Sequence, residues 1–112
     1  MEEKYDTELK IVDNTISVST LKIIKKYRND SYSNIKNDVI AGKGFLSCNS
    51  VDIENYENLL KCYEELINEN VEVQIIEDGE SVDPKIAYNW LHSMRETEEF
   101  VNSDDSWIEE TN

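Results

Sequence analysis

The chain has 112 residues, 38% of them hydrophobic and 32% charged, with 25 Asp and Glu against 11 Lys and Arg for a formal net charge of −14. That length suits one domain with a modest core and excludes two, and the composition is globular, not disordered. The charge argues against direct nucleic-acid binding, because phosphates would be repelled, and no apolar run approaches the roughly 18 residues of a membrane span.

Residues 1–6 read as a flexible, charged terminus. They lack the basic and apolar segments of a secretory leader, so the chain is expected to be cytoplasmic. A single α/β (α+β) domain is expected over 7–101, followed by an acidic tail over 102–112. Leu9 and Ile11 alternate with Lys10, which predicts a strand from Thr7 to Asp13, closed by a turn at Asp13-Asn14. Ile16 and Val18 either prolong that strand or lead into a helix. Ser19 or Thr20 is placed to cap the helix, whose apolar positions are Leu21, Ile23, Ile24 and Tyr27. After Asn29-Asp30-Ser31, a second short helix is expected, capped by Ser33 or Asn34 and carrying Ile35, Val39 and Ile40. Gly42-Lys43-Gly44 stops it, and Phe45 to Cys48 reads as a strand.

A long helix follows from about Val51 to Asn68, with Ser50 as its candidate cap. Ile53, Tyr56, Leu59, Leu60, Tyr63, Leu66 and Ile67 form one stripe, and Glu54, Glu57, Lys61, Glu64 and Glu65 take the other side. Val71, Val73 and Ile75 alternate into a strand that ends at Glu77-Asp78-Gly79. Asp83-Pro84 then opens a last helix, with Ala87, Trp90, Leu91 and Met94 as its apolar face. The expected fold is a small three-stranded sheet covered by helices, in β-α-α-β-α-β order with an extra C-terminal helix.

This pattern resembles the C-terminal domain of the bacterial ribosomal stalk protein over about residues 7–77. The likeness is carried by Ile24-Lys25-Lys26-Tyr27-Arg28, by Ser31, by Ile35-Lys36, by the acidic helix from Asp52, and by Asn70-Val71-Glu72-Val73. The resemblance implies a basic docking patch at Lys25, Arg28 and Lys36, with Lys26 beside them. Asn29, Asp30, Tyr32 and Asn34 stand where that family has glycines, and the last helix and acidic tail are additions, so the likeness is one of shape more than of role.

Reactive chemistry finds little support. His92 is the sole histidine and belongs to no metal motif. Cys48 and Cys62 read as reduced small hydrophobes. Glu64-Glu65, Glu98-Glu99, Asp104-Asp105 and Glu109-Glu110 lie in polar surroundings that give no reason for a shifted carboxyl. Gly42-Lys43-Gly44 lacks the spacing of a phosphate loop. The expectation is a protein that is no enzyme and uses no cofactor or metal.

Charge is unevenly distributed. Residues 20–43 hold six Lys and Arg against Asp30 and Asp38, while residues 52–112 hold eighteen carboxylates against Lys61, Lys85 and Arg95. Such asymmetry is an interaction signal. The expected partner is a basic protein, with a nuclease-type toxin neutralised by an immunity protein as the first reading. The expected contact face is Glu64, Glu65, Glu98, Glu99, Asp104, Asp105 and Trp107, with Tyr88 and Trp90 as nearby aromatics. A phage-type inhibitor of a host defence complex, mimicking nucleic-acid charge, fits the same features. A ribosome or translation-factor accessory protein would instead use Lys25, Lys26, Arg28 and Lys36.

Overall fold

The computed structural model describes residues 5–12 and 16–111, with side chains described through Thr97. It shows an α+β fold in the order β1 (Thr7–Ile11), α1 (Val18–Tyr27), α2 (Tyr32–Ile40), β2 (Leu46–Cys48), α3 (Ile53–Asn68), β3 (Val73–Glu77), β4 (Glu80–Val82) and α4 (Pro84–Thr111). The sheet is antiparallel throughout, in the order β2-β1-β3-β4.

That sheet has one strand more than expected. β4 holds a single apolar residue, Val82, which is too little to signal a strand by alternation. Its warrant lies in the turn: Asp78 and Gly79 both take positive φ, 52° and 83°. This is the twist-matched two-residue connection that Asp-Gly favours. The hairpin pairs Glu77 with Glu80 and Ile75 with Val82.

Helix starts follow side-chain chemistry more than the first apolar residue. Ser17, not Ser19 or Thr20, caps α1 by accepting from the Thr20 amide at 3.2 Å. Ser31, not Ser33 or Asn34, caps α2 through the Asn34 amide at 3.1 Å. Asp52 caps α3, not Ser50, whose hydroxyl donates to Asp6 instead. Helix ends match their residues well. Gly42 sits at φ 73°, with its amide bonded to Val39 O and the Lys43 amide to Asp38 O. Asn70, at φ 63°, gives α3 the same left-handed finish, the amides of Asn70 and Val71 returning to Ile67 O and Leu66 O.

Leu9, Ile24, Ile35, Phe45, Tyr56, Leu59, Leu60, Leu66 and Ile75 are the heart of the core, each essentially buried. Full burial of such an aliphatic side chain is worth about 1.5–3 kcal/mol. α3 is the central helix, touching β1, β2 and β3 while α1 and α4 flank it. Tyr56, fully buried on α3, donates its hydroxyl to Glu77 at 2.8 Å. Arg95 on α4 reaches Glu57 on α3 at 2.6 Å, so the first half of α4 packs on its own domain. Leu9, Ile11 and Ile75 turn the buried face of the sheet toward this helix layer. No helix among the described residues is long and apolar enough to cross a membrane.

Candidate interaction surfaces

The basic residues expected to form a docking patch are largely consumed by the fold. Arg28 closes α1, and its guanidinium donates to Phe45 O at 3.0 Å and pairs with Asp30 and Asp38, each at 2.8 Å. Burial pushes the guanidinium pKa down, but the two carboxylates more than offset this and leave it raised. Asp30 is in turn pushed down to about 2 by the Asn34 amide group, Arg28 and the Ser31 backbone N–H. Lys25 donates to Asp30 O at 2.8 Å and lies over the Tyr32 ring. Lys26 bonds Glu65. Lys36 is exposed and enters no ion pair among the described residues.

Glu65 departs from the solvated role expected of it. It faces α1, accepting from both Lys26 and the Tyr27 hydroxyl. Those two hydrogen bonds, Lys26 first, hold its carboxyl below the usual range. Burial, followed by the same contact, pushes the Tyr27 phenol up to about 12. Helical periodicity could not separate Glu65 from Glu64, because both lie off the apolar stripe. The signal is the long-range pairing of a Lys-Tyr step with an acidic helix, which becomes visible only once α1 and α3 are juxtaposed.

Glu64 is exposed and borders a different surface, the seam between α3 and α4. Tyr63 and Tyr88 are half-buried there. Burial, followed by Glu64, pushes the Tyr88 phenol up to about 12, and burial with Asp83 raises Tyr63. Trp90, expected in the core, is instead 42% exposed. Its indole N–H donates to Ser50 O at 2.8 Å, and Asp6 accepts from the amide and hydroxyl of that serine at 2.7 and 2.8 Å. Asp6, immediately before β1, thus ties the strand to the Ser50 turn. Burial pushes its carboxyl up, but the Ser50 and Thr7 hydrogen bonds outweigh this and leave it low.

The side chains of Glu98, Glu99, Asp104, Asp105, Trp107, Glu109 and Glu110 lie outside the described residues. Cys48 and Cys62 are free and buried, and burial pushes both thiols up to about 12. His92 is exposed, with Nε2 2.9 Å from Glu96. Among the described residues no three His, Cys, Asp or Glu converge as metal ligands.

No family model, curated protein or solved structure matches this chain. Its surface must therefore be read on its own chemistry. Glu54, Glu64, Glu69, Glu72, Asp78 and Glu80 enter no ion pair among the described residues, and all six are exposed. They spread over α3, the loop that follows it and the β3–β4 hairpin.

Proposed function

We propose that this chain is a non-enzymatic, cytoplasmic inhibitor of the immunity-protein kind, which neutralises a basic, nuclease-type toxin by occupying its cationic cleft. The supporting observation is the charge excess: the chain carries −14, and Glu54, Glu64, Glu69, Glu72, Asp78 and Glu80 are exposed outside any ion pair among the described residues, against Lys22, Lys36, Lys43, Lys61 and Lys85 in the same state. A surface built that way attracts cationic proteins and speeds their encounter at low salt. A nuclease must hold phosphates in a positive cleft, so a folded polyanion is complementary to it. The β-α-α-β-α-β order supports reading the scaffold as stalk-domain-like in shape. With three of its four basic residues tied down, the accessory role at Lys25, Lys26, Arg28 and Lys36 is the weaker reading.

The test is capture of the partner from the native cell, followed by inhibition and kinetics with the purified pair. The full chain should block the partner's nuclease activity stoichiometrically, with an association rate that falls as salt rises. Glu54→Lys, Glu64→Lys and Glu69→Lys together should slow association, while Lys22→Glu, Lys36→Glu and Lys43→Glu should not. A partner that needs those lysines, or an association rate indifferent to salt, overturns the proposal. A partner that is a nucleic-acid-binding defence complex would favour the charge-mimic reading instead.

A further inference from the structure

On the face of the sheet opposite the helix-side core, Glu8 and Lys10 are half-buried and Gln74 and Ser81 exposed. Along it Glu8 stands between Ser47 and Ile76, Ile76 lies between Glu8 and Ser81, and Lys10 sits opposite Gln74. Alternation explains the polar positions, because side chains on this face meet water. Ile76 is the exception. It is only 7% exposed yet lies outside the helix-side core. Above it opens a cavity of about 470 Å³, lined by Tyr5, Asp6, Glu8, Ile76, Asp78 and Gly79. The one cation within ion-pair distance of these carboxylates among the described residues is Lys10, 3.7 Å from Glu8.

We propose that this face docks a loop of the basic partner, and that the cavity over Ile76 receives one of its arginine side chains. The proposal rests on the preceding reading and gives that reading a place on the molecule. An apolar floor with a carboxylate rim matches a guanidinium-tipped chain. The aliphatic stem lies against Tyr5 and Ile76, which line the cavity, while the planar, weakly hydrated fork reaches Glu8 on β1 and Asp78 in the β3–β4 turn. A second copy of this chain is the wrong occupant, since it would bring a charge of −14 against the same sign. A metal ion is disfavoured because Ser50 and Thr7 already engage both oxygens of Asp6.

The experiment titrates the ¹⁵N-labelled full chain with a capped Gly-Ser-Arg-Ser-Gly peptide and with its citrulline counterpart, which has the same shape and no charge. The arginine peptide should shift the amides of 5–8 and 76–81 selectively, and the citrulline peptide should not. Glu8→Gln with Asp78→Asn should weaken the arginine peptide about fivefold, the scale of two half-exposed charge pairs. Asn tolerates the left-handed backbone at position 78, and an unchanged amide spectrum elsewhere reports an intact fold. Ser81→Lys, at an exposed edge position, should weaken it similarly by supplying a competing cation. Shifts spread evenly over α3 and the hairpin, or equal effects of the two peptides, overturn the sheet-face site. If Glu54→Gln and Glu64→Gln weaken the peptide while Glu8→Gln and Asp78→Asn do not, the site is lost and the acidic-surface reading survives. Failure of that reading shows itself separately, as salt-independent association with the native partner.

Discussion

Gly44 has no unusual backbone angle, yet it has no room for a methyl group. A Cβ there would fall inside the Glu8 side chain, where the chain entering β2 crosses β1. Gly44→Ala should therefore destabilise the fold by about 1–3 kcal/mol, the usual cost of forcing atoms into a packed site. Glu8→Ala should recover part of that loss in the double variant, since it removes the carboxyl end but keeps the Cβ 2.9 Å away, and a urea titration of the four proteins measures the coupling. Coupling of zero would mean that the two residues do not meet. Residue-level roles of this sort were poorly legible in the sequence. Gly44 read as part of a helix stop, though only Gly42 performs that task. Ser50 read as a cap because it precedes an apolar stripe, whereas Asp6 and Trp90 compete for it from distant parts of the chain. Trp90 read as core because its position in the helix fits the stripe. Its indole N–H, which needs an acceptor, instead places it at the rim, where a carbonyl is available.

Among the elements, α2 is held by its connections more than by its own surface. Nine residues with only Ile35 and Val39 fully buried make a marginal helix. Arg28 ties its start to its middle through Asp30 and Asp38, and ties both to Phe45 O at the entrance to β2. Arg28→Ala would leave two neighbouring carboxylates without their counter-ion and a carbonyl without its donor. The expected loss is about 1–3 kcal/mol, seen as a lower urea midpoint at unchanged slope. Arg28→Lys should restore only part of it, because three donors on one nitrogen cannot span the acceptors that Nη1 and Nη2 reach separately. If Arg28→Ala is as stable as the parent, the guanidinium is a surface group after all. Elements themselves were the legible level. α3 followed from an unbroken stripe, α4 from Asp83-Pro84, and the ends of α2 and α3 from Gly42 and the Asn68 to Asn70 run. β4 escaped because three residues with one aliphatic carry no periodic signal, although Asp78-Gly79 announced the turn before it.

For the molecule as a whole, carboxylates set the acid limit of stability. Asp30, Asp6 and Glu65 all lie below their ordinary range in the folded chain. Each is thus ionised more readily folded than unfolded. Their contribution is complete above about pH 4–5, where the unfolded chain is ionised too, and is lost as pH falls toward about 2. Tyr27 and Tyr88, pushed up to about 12, act in the opposite sense. With the buried thiols of Cys48 and Cys62, they keep protons that the unfolded chain gives up near pH 9–10, so stability falls again between about pH 9 and 12. Far-UV circular dichroism at graded pH should show a plateau bounded by these two declines. A helix signal that persists unchanged down to pH 2 would contradict the assignment.

The position of β1 carries a consequence for how this chain reaches its shape. The strand made first during synthesis lies in the interior of the sheet, and both of its neighbours are made much later, at 46–48 and 73–77. A nascent chain halted before Val73 would offer Thr7–Ile11 only the three-residue β2 as a mate. The sheet is therefore assembled late, by closing long loops, which is the slow route for a small domain. Until then, one edge of β1 has no partner strand.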